Sequence, residues 1–407
     1  MEILMSPRHF PSTNQRTDRR GMITAAVAFA LVAALGCTAL VLDRLWLGEA
    51  RMELQSNAEA AALAAVAELV DDDLLRQDSD VEKRIKAARD RAVDLARRNM
   101  VAGTPLRLDP QDDIHFGRRI RDPQTGKFRF IQTESQPTSV QITARRTRGN
   151  GNPVALLMQN IIGRRSADVV SQVEATVDDR IIGVRPFSAA SVPAMPMAIR
   201  QSAWAGDDSA ASEGEEGSSA ETDRYTYDPT TGRVQPGSDG ILEIIVHSAA
   251  TGTESPDADA VLVDIGAGLR SDTLTRQITS GWSADDMASP NGELRFDQGT
   301  VQLGSQAFFS GDMESALQDA IGQPRIWLTF TQQETVGHRG RGTAVISGLV
   351  AGRIMAARRL TDFEYEIVIQ PCVLTTRTAM LADNTAEEGA SDDVPRNGSI
   401  FKLFLTK

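Results

Sequence analysis

The chain has 407 residues, enough for about two or three domains, and a formal net charge of −12. This acidic balance argues against nucleic-acid binding, because phosphates require a basic protein surface. Two cysteines, Cys37 and Cys372, do not make an internal disulfide framework. The four histidines stand alone, without metal-ligand spacing, so we expect no zinc site and no other cofactor. They are His9, His115, His247 and His338.

An uninterrupted apolar run covers Met22–Leu42 and contains no charged residue and no proline. At about 1.5 Å per residue, a helix of this length spans roughly the 30 Å hydrocarbon core of a bilayer. The run therefore predicts a transmembrane helix over residues 22–46, preceded by a short tail at 1–21. Trp46 lies where an interfacial aromatic residue would anchor the helix.

Arginines are in excess before the apolar run and mixed with acidic residues after it. Those before it are Arg8, Arg16, Arg19 and Arg20, and those after it are Arg44 and Arg51. This asymmetry predicts a cytoplasmic N-terminus and an extracytoplasmic, periplasmic bulk, with the chain held in the inner membrane by a single span.

Two other interpretations apply to the same run. A cleavable secretory signal would have a shorter apolar region and a small-residue cleavage site after it. Ala34–Cys37 loosely resembles a lipoprotein signal, but apolar residues continue through Thr38–Leu42 where a polar tether would follow. The length of the run favours an uncleaved anchor.

Strong helix formers continue from Glu49 to Val70, so one helix is predicted over Met22–Val70. Its apolar face repeats at three- and four-residue spacing. The members of this face are Leu54, Ala58, Ala61, Ala62, Ala65 and Leu69. A second helix is predicted over Asp80–Asn99, opened by Ser79 and Glu82 as a capping box. The two helices are expected to form an antiparallel hairpin over residues 47–104.

Alternating apolar residues then predict strands around Ile114–Phe116, Phe128–Phe130 and Val140–Ala144. A turn at Asp122–Gly126, a short helix at Val154–Ile161 and a strand at Ala167–Val177 complete a small α+β unit over residues 105–186. Residues 187–227 show little periodicity and include the acidic segment Ala205–Glu221, so they are predicted to be a flexible linker.

Residues 228–407 predict a mostly antiparallel, β-rich domain, and the whole chain is assigned to the α+β class. Predicted strands are Ile241–Val246, Val261–Ile265, Glu293–Phe296, Arg325–Phe330, Thr343–Gly348, Phe363–Gln370 and Ile400–Leu405. Predicted helices are Asp272–Thr279 and Asp312–Ile321. Asn384–Asn397 is predicted to be a mobile acidic loop.

The most suggestive chemical motif is the glycine-rich segment Asp264–Gly268, which follows an apolar stretch. It begins like a dinucleotide fingerprint, but Ser271 replaces the third glycine. It also begins like the metal motif of von Willebrand A-type domains, but Gly266 and Gly268 stand where hydroxyl ligands are needed. A tight turn is therefore predicted, with no metal and no nucleotide.

No phosphate-binding loop and no nucleophile elbow occurs in the sequence, so no catalytic residue is assigned and the chain is not predicted to be an enzyme. Gly337–Gly342 is a basic loop that could bind an anion or an acidic partner. A flexible hairpin tip is the favoured interpretation of this segment.

Three segments together resemble the N-terminal module of TadG-like proteins, which belong to the tight-adherence (Flp) pilus assembly system. They are Arg19–Gly21, Val41–Leu45 and Glu53–Ala64, spaced around the apolar helix. Asn57 and Glu59 are mild departures, because the family usually has Ala and Asp there.

The resemblance covers about residues 19–67 and implies a structural, membrane-anchored role in pilus assembly and adhesion. Other pilus-assembly subunits would then be partners. Pilins of that system are cut after a Gly that is followed by Glu five positions on. Gly21 is followed there by Ala26, so processing is not expected.

The alanine face of the helix is the candidate docking surface for a partner helix, either a second copy or a pilus-assembly subunit. Its members are Ala58, Ala61, Ala62 and Ala65. The alternative for this face is packing on the second helix of the same chain. The alternative for the whole chain is a membrane-tethered binding or sensing module that uses Asp264–Gly268 or Gly337–Gly342.

Overall fold

The computed structural model describes residues 18–122, 124–205, 222–248, 258–288, 291–307, 309–335, 341–362, 364–382 and 396–406. Several predicted features lie outside these residues. They are Arg8 and Arg16 of the tail, Pro123 of the turn, nearly all of the acidic segment Ala205–Glu221, residues 337–340 of the basic loop, Phe363, and most of the loop Asn384–Asn397.

Six α-helices are present in the described residues. They are α1 (Asp18–Ala67), α2 (Val81–Arg98), α3 (Gln159–Ile162), α4 (Gln201–Ala205), α5 (Ser271–Ser280) and α6 (Glu314–Asp319). Short 3-10 helices cover Asp72–Leu75 and Gly311–Met313.

The strands in chain order are β1 (Met100–Val101), β2 (Thr104–Pro105), β3 (Ile114–Arg121), β4 (Phe128–Gln132), β5 (Ser139–Arg146), β6 (Val154–Ala155), β7 (Ser166–Ala167), β8 (Val169–Asp178), β9 (Ile181–Val184), β10 (Ala194–Arg200), β11 (Tyr225–Asp228), β12 (Arg233–Pro236), β13 (Ile244–His247), β14 (Ala260–Asp264), β15 (Leu294–Arg295), β16 (Val301–Gln306), β17 (Pro324–Thr335), β18 (Arg341–Arg359), β19 (Tyr365–Pro371), β20 (Leu374–Thr375), β21 (Ala379–Leu381) and β22 (Ile400–Thr406). The mixed α+β class is confirmed.

The chain divides into two compact units, each assembled from separate stretches of sequence. The first unit consists of residues 1–58, 96–108 and 143–172. The second unit consists of residues 59–95, 109–142 and 173–407.

The long first helix and the helical hairpin are confirmed. Within the first unit, Asn57 Nδ2 donates to the Met100 carbonyl (2.9 Å) and the Ala102 N–H donates to Glu53 Oε2 (2.7 Å). Within the second unit, Glu68 pairs with Arg91 at 3.7 Å. Residues later in α1 therefore meet residues earlier in α2, which is the pattern of an antiparallel pair.

The predicted capping box at Ser79 and Glu82 is wrong. Helix α2 begins at Val81, and Asp80 caps it: Asp80 Oδ1 accepts the N–H groups of Glu82 (2.9 Å) and Lys83 (3.2 Å). Aspartate directly before the first helical residue can reach these amides, whereas Ser79 lies one residue too early.

A six-stranded sheet has the order β20-β22-β8-β5-β3-β4. Its strand β22 comes from the end of the chain and pairs antiparallel with β8, from Lys402↔Asp178 to Thr406↔Glu174. The predicted arrangement of two consecutive β-rich units at 105–186 and 228–407 is therefore not confirmed, because the last strand completes the earlier sheet.

The second unit also contains a seven-stranded sheet of order β13-β19-β18-β16-β14-β10-β17. Strand β17 pairs with β10 on one edge and with β18 on the other, which closes β10, β14, β16, β18 and β17 into a five-stranded barrel. The long β18 continues past the barrel to pair with β19.

Strand β10 corrects the prediction that residues 187–227 are a linker. Residues Ala194–Ile199 are buried and form a central strand, paired with β14 and β17. The segment has no period of two because both of its faces are covered. Met195 and Met197 belong to one core cluster, and Ala194 and Ala198 to another.

The predicted helix at Val154–Ile161 is also wrong. Val154–Ala155 is a strand, β6, paired with β7, and only Gln159–Ile162 is helical. Of the three residues between them, Leu157 and Met158 donate their amides to Asp43, so a helix cannot continue through them.

Candidate membrane-anchoring site

In the apolar part of α1, the described side chains are almost all exposed. Its best 18-residue window has a mean hydropathy of 2.5 and is 6% buried, so the helix is long and apolar enough to cross a membrane. Side chains such as Phe29 and Val32 are 77% and 68% exposed. Exposing this much apolar surface to water is unfavourable, so the segment is suited to lipid. A membrane anchor and a signal sequence both satisfy this description.

The candidate docking residues lie at the other end of α1 and are fully buried. Ala58, Ala61, Ala62 and Ala65 are each 0% exposed. A partner helix therefore has no access to this face, and the docking hypothesis for these four residues is not supported. On α2, Ala88, Ala92 and Ala96 are likewise 0% exposed, as small residues in a close helix pair would be.

Asp43 is the first charged residue after the apolar run, and it is only 4% exposed. Its Oδ1 atom accepts two backbone N–H groups, from Leu157 (2.8 Å) and Met158 (3.0 Å). One carboxylate thus holds a loop that is more than a hundred residues later in the chain. We call Asp43 and the segment Ala155–Arg165 the clamp.

Trp46 is part of the same arrangement, one turn after Asp43. Its indole Nε1–H donates to the Ala155 carbonyl at 3.0 Å. The side chain was predicted to anchor the helix at a membrane interface, and the structure gives it a protein partner. Its half-buried ring still allows contact with an interface.

Four amides of the clamp segment are hydrogen-bonded to carbonyls within it. The Ile161 and Ile162 N–H groups donate to the Met158 carbonyl, and the Gly163 N–H donates to Gln159. Gly163 ends α3 in the left-handed region (φ 74°), where glycine is favoured. The Leu156 N–H donates to the Arg165 carbonyl at 3.1 Å, which closes the segment into a compact loop.

Buried Arg146 connects two further segments of the first unit by hydrogen bonds. Its Nη1 donates to the Val101 carbonyl (2.5 Å) and its Nε to the Asn152 carbonyl (2.6 Å). Desolvation lowers the pKa of this guanidinium from its usual value. Arg146 therefore ties the residues after α2 to the turn that precedes β6.

In the second unit, the predicted tight turn at Asp264–Gly268 is confirmed. Asp264 Oδ1 accepts the N–H groups of Gly266 and Gly268, both at 2.8 Å. The two glycines have φ of 123° and 82°, which side chains rarely adopt. This carboxylate is engaged in organising its own loop.

A latch that the sequence did not predict joins the helical hairpin to the strands of the second unit. Asp72 Oδ1 accepts the Val373 N–H at 2.7 Å, and its Oδ2 lies 2.9 Å from Arg353 Nη1. The Arg353 guanidinium lies over the Tyr227 ring, 3.8 Å from its centroid. Beside it, burial raises the pKa of the Cys372 thiol to about 12, so this cysteine is an unreactive core residue.

Asp286 is a buried carboxylate of the second unit with several hydrogen-bond donors around it. Arg276 donates to its Oδ1, and the N–H and hydroxyl of Ser283 both donate to Oδ2 at 2.7 Å. Burial alone would raise the pKa of Asp286, but these donors outweigh it and lower the pKa to about 2. Such a carboxylate is a structural acceptor and a poor general base.

Among the described residues, no group of three or more His, Cys, Asp or Glu side chains is placed to hold a metal ion. No protein-family model matches the chain, no curated protein matches it significantly, and no solved structure does so.

Proposed function

We propose that this chain is a single-pass membrane protein with a structural role in assembling a tight-adherence pilus at the cell envelope. The N-terminus lies in the cytoplasm, and the β-rich part is held outside by the helical stalk. One observation carries the anchoring part of the proposal: the exposed apolar helix continues without a break into the buried hairpin.

This continuity favours a retained anchor over a cleaved signal. Signal cleavage shortly after Leu42 would cut inside α1, between the apolar run and buried Leu54. It would also separate Asp43 and Trp46 from the apolar helix, or remove them and their hydrogen bonds to Ala155–Met158. A continuous helix whose residues just after the cleavage point belong to the fold is a poor substrate for signal cleavage.

The resemblance to TadG-like proteins supports the pilus role. The residues that match the family pattern also have structural roles in this fold. Asp43 stands at the acidic position of the family pattern and holds the clamp. Leu54, Ala58 and Ala61 stand in the stretch Glu53–Ala64 and are fully buried. The TadG-like pattern therefore covers the membrane anchor and the first buried turns of the helix that follow it. The pilus role itself rests on the resemblance.

The pilus role is tested by crosslinking the tagged full-length chain in membranes of its own organism, followed by mass spectrometry of the captured proteins. We expect subunits of a pilus machine, including its secretion ATPase and small pilin, to be enriched over those captured by an unrelated single-pass protein. If the same proteins are captured by both, the pilus role is wrong and a membrane-tethered binding module is the better description.

A further inference from the structure

The clamp segment exposes two large apolar side chains beside polar ones. Leu157 and Ile161 are each 55% exposed, and on the neighbouring part of α1 Leu42 and Leu45 are 38% and 66% exposed. We call these four side chains the patch. Asp43 binds the Leu157 amide, which ties the segment to the end of the apolar run.

We propose that the clamp segment is a second membrane contact, in which Leu157 and Ile161 enter the leaflet beside the end of the span. The inference rests on the proposed membrane anchoring of α1. It adds that the folded part itself is seated on the bilayer, with the phospholipid surface as its ligand.

Depth along α1 supports this placement. Asp43 directly follows the apolar run, and it binds the Leu157 and Met158 amides. Ala39, one turn inside the run and on the same face as Asp43, is only 2% exposed, so protein lies alongside the apolar part of the helix. At 1.5 Å per residue, this is about 5 Å inside the end of the run.

Backbone at such a depth must have its polar groups paired, because lipid offers no partners. The clamp meets this condition at six amides. Asp43 accepts hydrogen bonds from the amides of Leu157 and Met158. Carbonyls within the segment accept hydrogen bonds from the amides of Leu156, Ile161, Ile162 and Gly163. Asp43 thereby makes it possible for this loop to lie against hydrocarbon.

Charge at the edge of the patch fits phospholipid headgroups. Arg164 and Arg165 follow Gly163, the residue that ends α3, and are exposed, as is Arg44 on α1. Apolar side chains flanked by arginines are the composition of interfacial membrane segments, where the cations meet lipid phosphates.

The test uses the full-length protein in vesicles of neutral and anionic phospholipid, with single spin labels in a Cys37→Ser background. Labels are placed at Leu157→Cys and Ile161→Cys. The matched control is Met100→Cys, because Met100 is also apolar and 58% exposed but is bonded to Asn57, about 20 Å further along α1. A label at Leu35→Cys reports whether the span itself is inserted.

We expect labels at 157 and 161 to be several-fold less accessible to a water-soluble nickel relaxant than the label at 100, and more accessible to oxygen. Replacing Arg164 and Arg165 by Gln should reduce this protection in anionic vesicles. If the label at 35 is in lipid while those at 157 and 161 are as water-accessible as 100, the second contact does not exist. If the label at 35 is also in water, the membrane anchoring itself is wrong.

Discussion

At the scale of single residues, carboxylates that accept backbone amides connect segments that are distant in the sequence. Asp43 holds Leu157 and Met158, and Asp72 holds Val373. Removing either carboxylate leaves these N–H groups without their acceptor. The cost exceeds that of the hydrogen bond alone wherever water cannot reach the amide.

Asp43→Ala should lower the thermal stability of the detergent-solubilised full-length protein, because two amides lose their acceptor. The expected loss is about 2–4 kcal/mol of unfolding free energy. Asp43→Asn keeps a carbonyl oxygen at the same place and should lose clearly less. Equal effects of the two substitutions, measured by thermal melting, would show that the amides do not depend on this acceptor.

Asp286 gives a prediction that depends on pH. Its pKa of about 2 in the folded protein is below the ordinary value of 3.8, so its stabilising effect is complete well above pH 3.8 and is lost as the pH falls toward 2. Asp286→Asn should therefore lower the unfolding free energy by about 2 kcal/mol at neutral pH and have progressively less effect in acid.

The control for this prediction is Asp272→Asn, which removes another aspartate paired with an arginine, Arg270, near the start of α5. Asp272 is exposed, so solvent screens the pair and no measurable change in melting is expected. A pH-independent effect of Asp286→Asn, or an equal effect at Asp272, would contradict the role given to the buried carboxylate.

At the scale of elements, the helical hairpin depends on small residues. Ala61→Leu and Ala62→Leu each add bulk at a position with no exposed surface, and overpacking of this kind costs about 1–3 kcal/mol. Denaturant melts of the full-length protein should show this loss. Ala87→Leu on α2 is the matched control, because Ala87 is exposed and should tolerate the larger side chain. Unchanged stability at 61 and 62 would mean that the hairpin is loosely packed.

The elements that sequence patterns predicted well are those with one covered face. The hairpin and the strands near Ile114 and Tyr365 show clear periods, and the structure has them. Strand β10 was missed because both of its faces are buried and Pro196 lies within it. The 19-residue length of β18 was missed because Gly348 and Gly352 resemble strand ends. Gly352 instead fits a close approach, where an added Cβ would lie 2.8 Å from Ile369.

The clamp could not be predicted from sequence patterns, for a different reason. Asp43 was visible as a member of the TadG-like pattern, and Trp46 as an aromatic residue after the span. Their partners, Ala155–Met158, lie more than a hundred residues later and carry no motif. A hydrogen bond to a backbone amide leaves no trace in the identity of the residue that donates it.

At the scale of the whole molecule, the end of the chain completes a sheet begun much earlier. Strand β22 lies between β8 and β20, and its Ile400 is fully buried. Ile400→Ala should destabilise the protein by about 2–5 kcal/mol, whereas Leu405→Ala, at a side chain that is 36% exposed, should have a much smaller effect. Chemical denaturation followed by tryptophan fluorescence measures both. Similar losses at the two positions would contradict the assigned burial of β22.

The central claim is that α1 is one continuous helix whose apolar half is retained in the membrane. Its most direct test is the intact mass of the protein extracted from alkaline-washed membranes. We expect the protein to remain with the membranes and its mass to include Met22–Leu42. Release into the wash, or a mass that begins after Leu42, would contradict the claim.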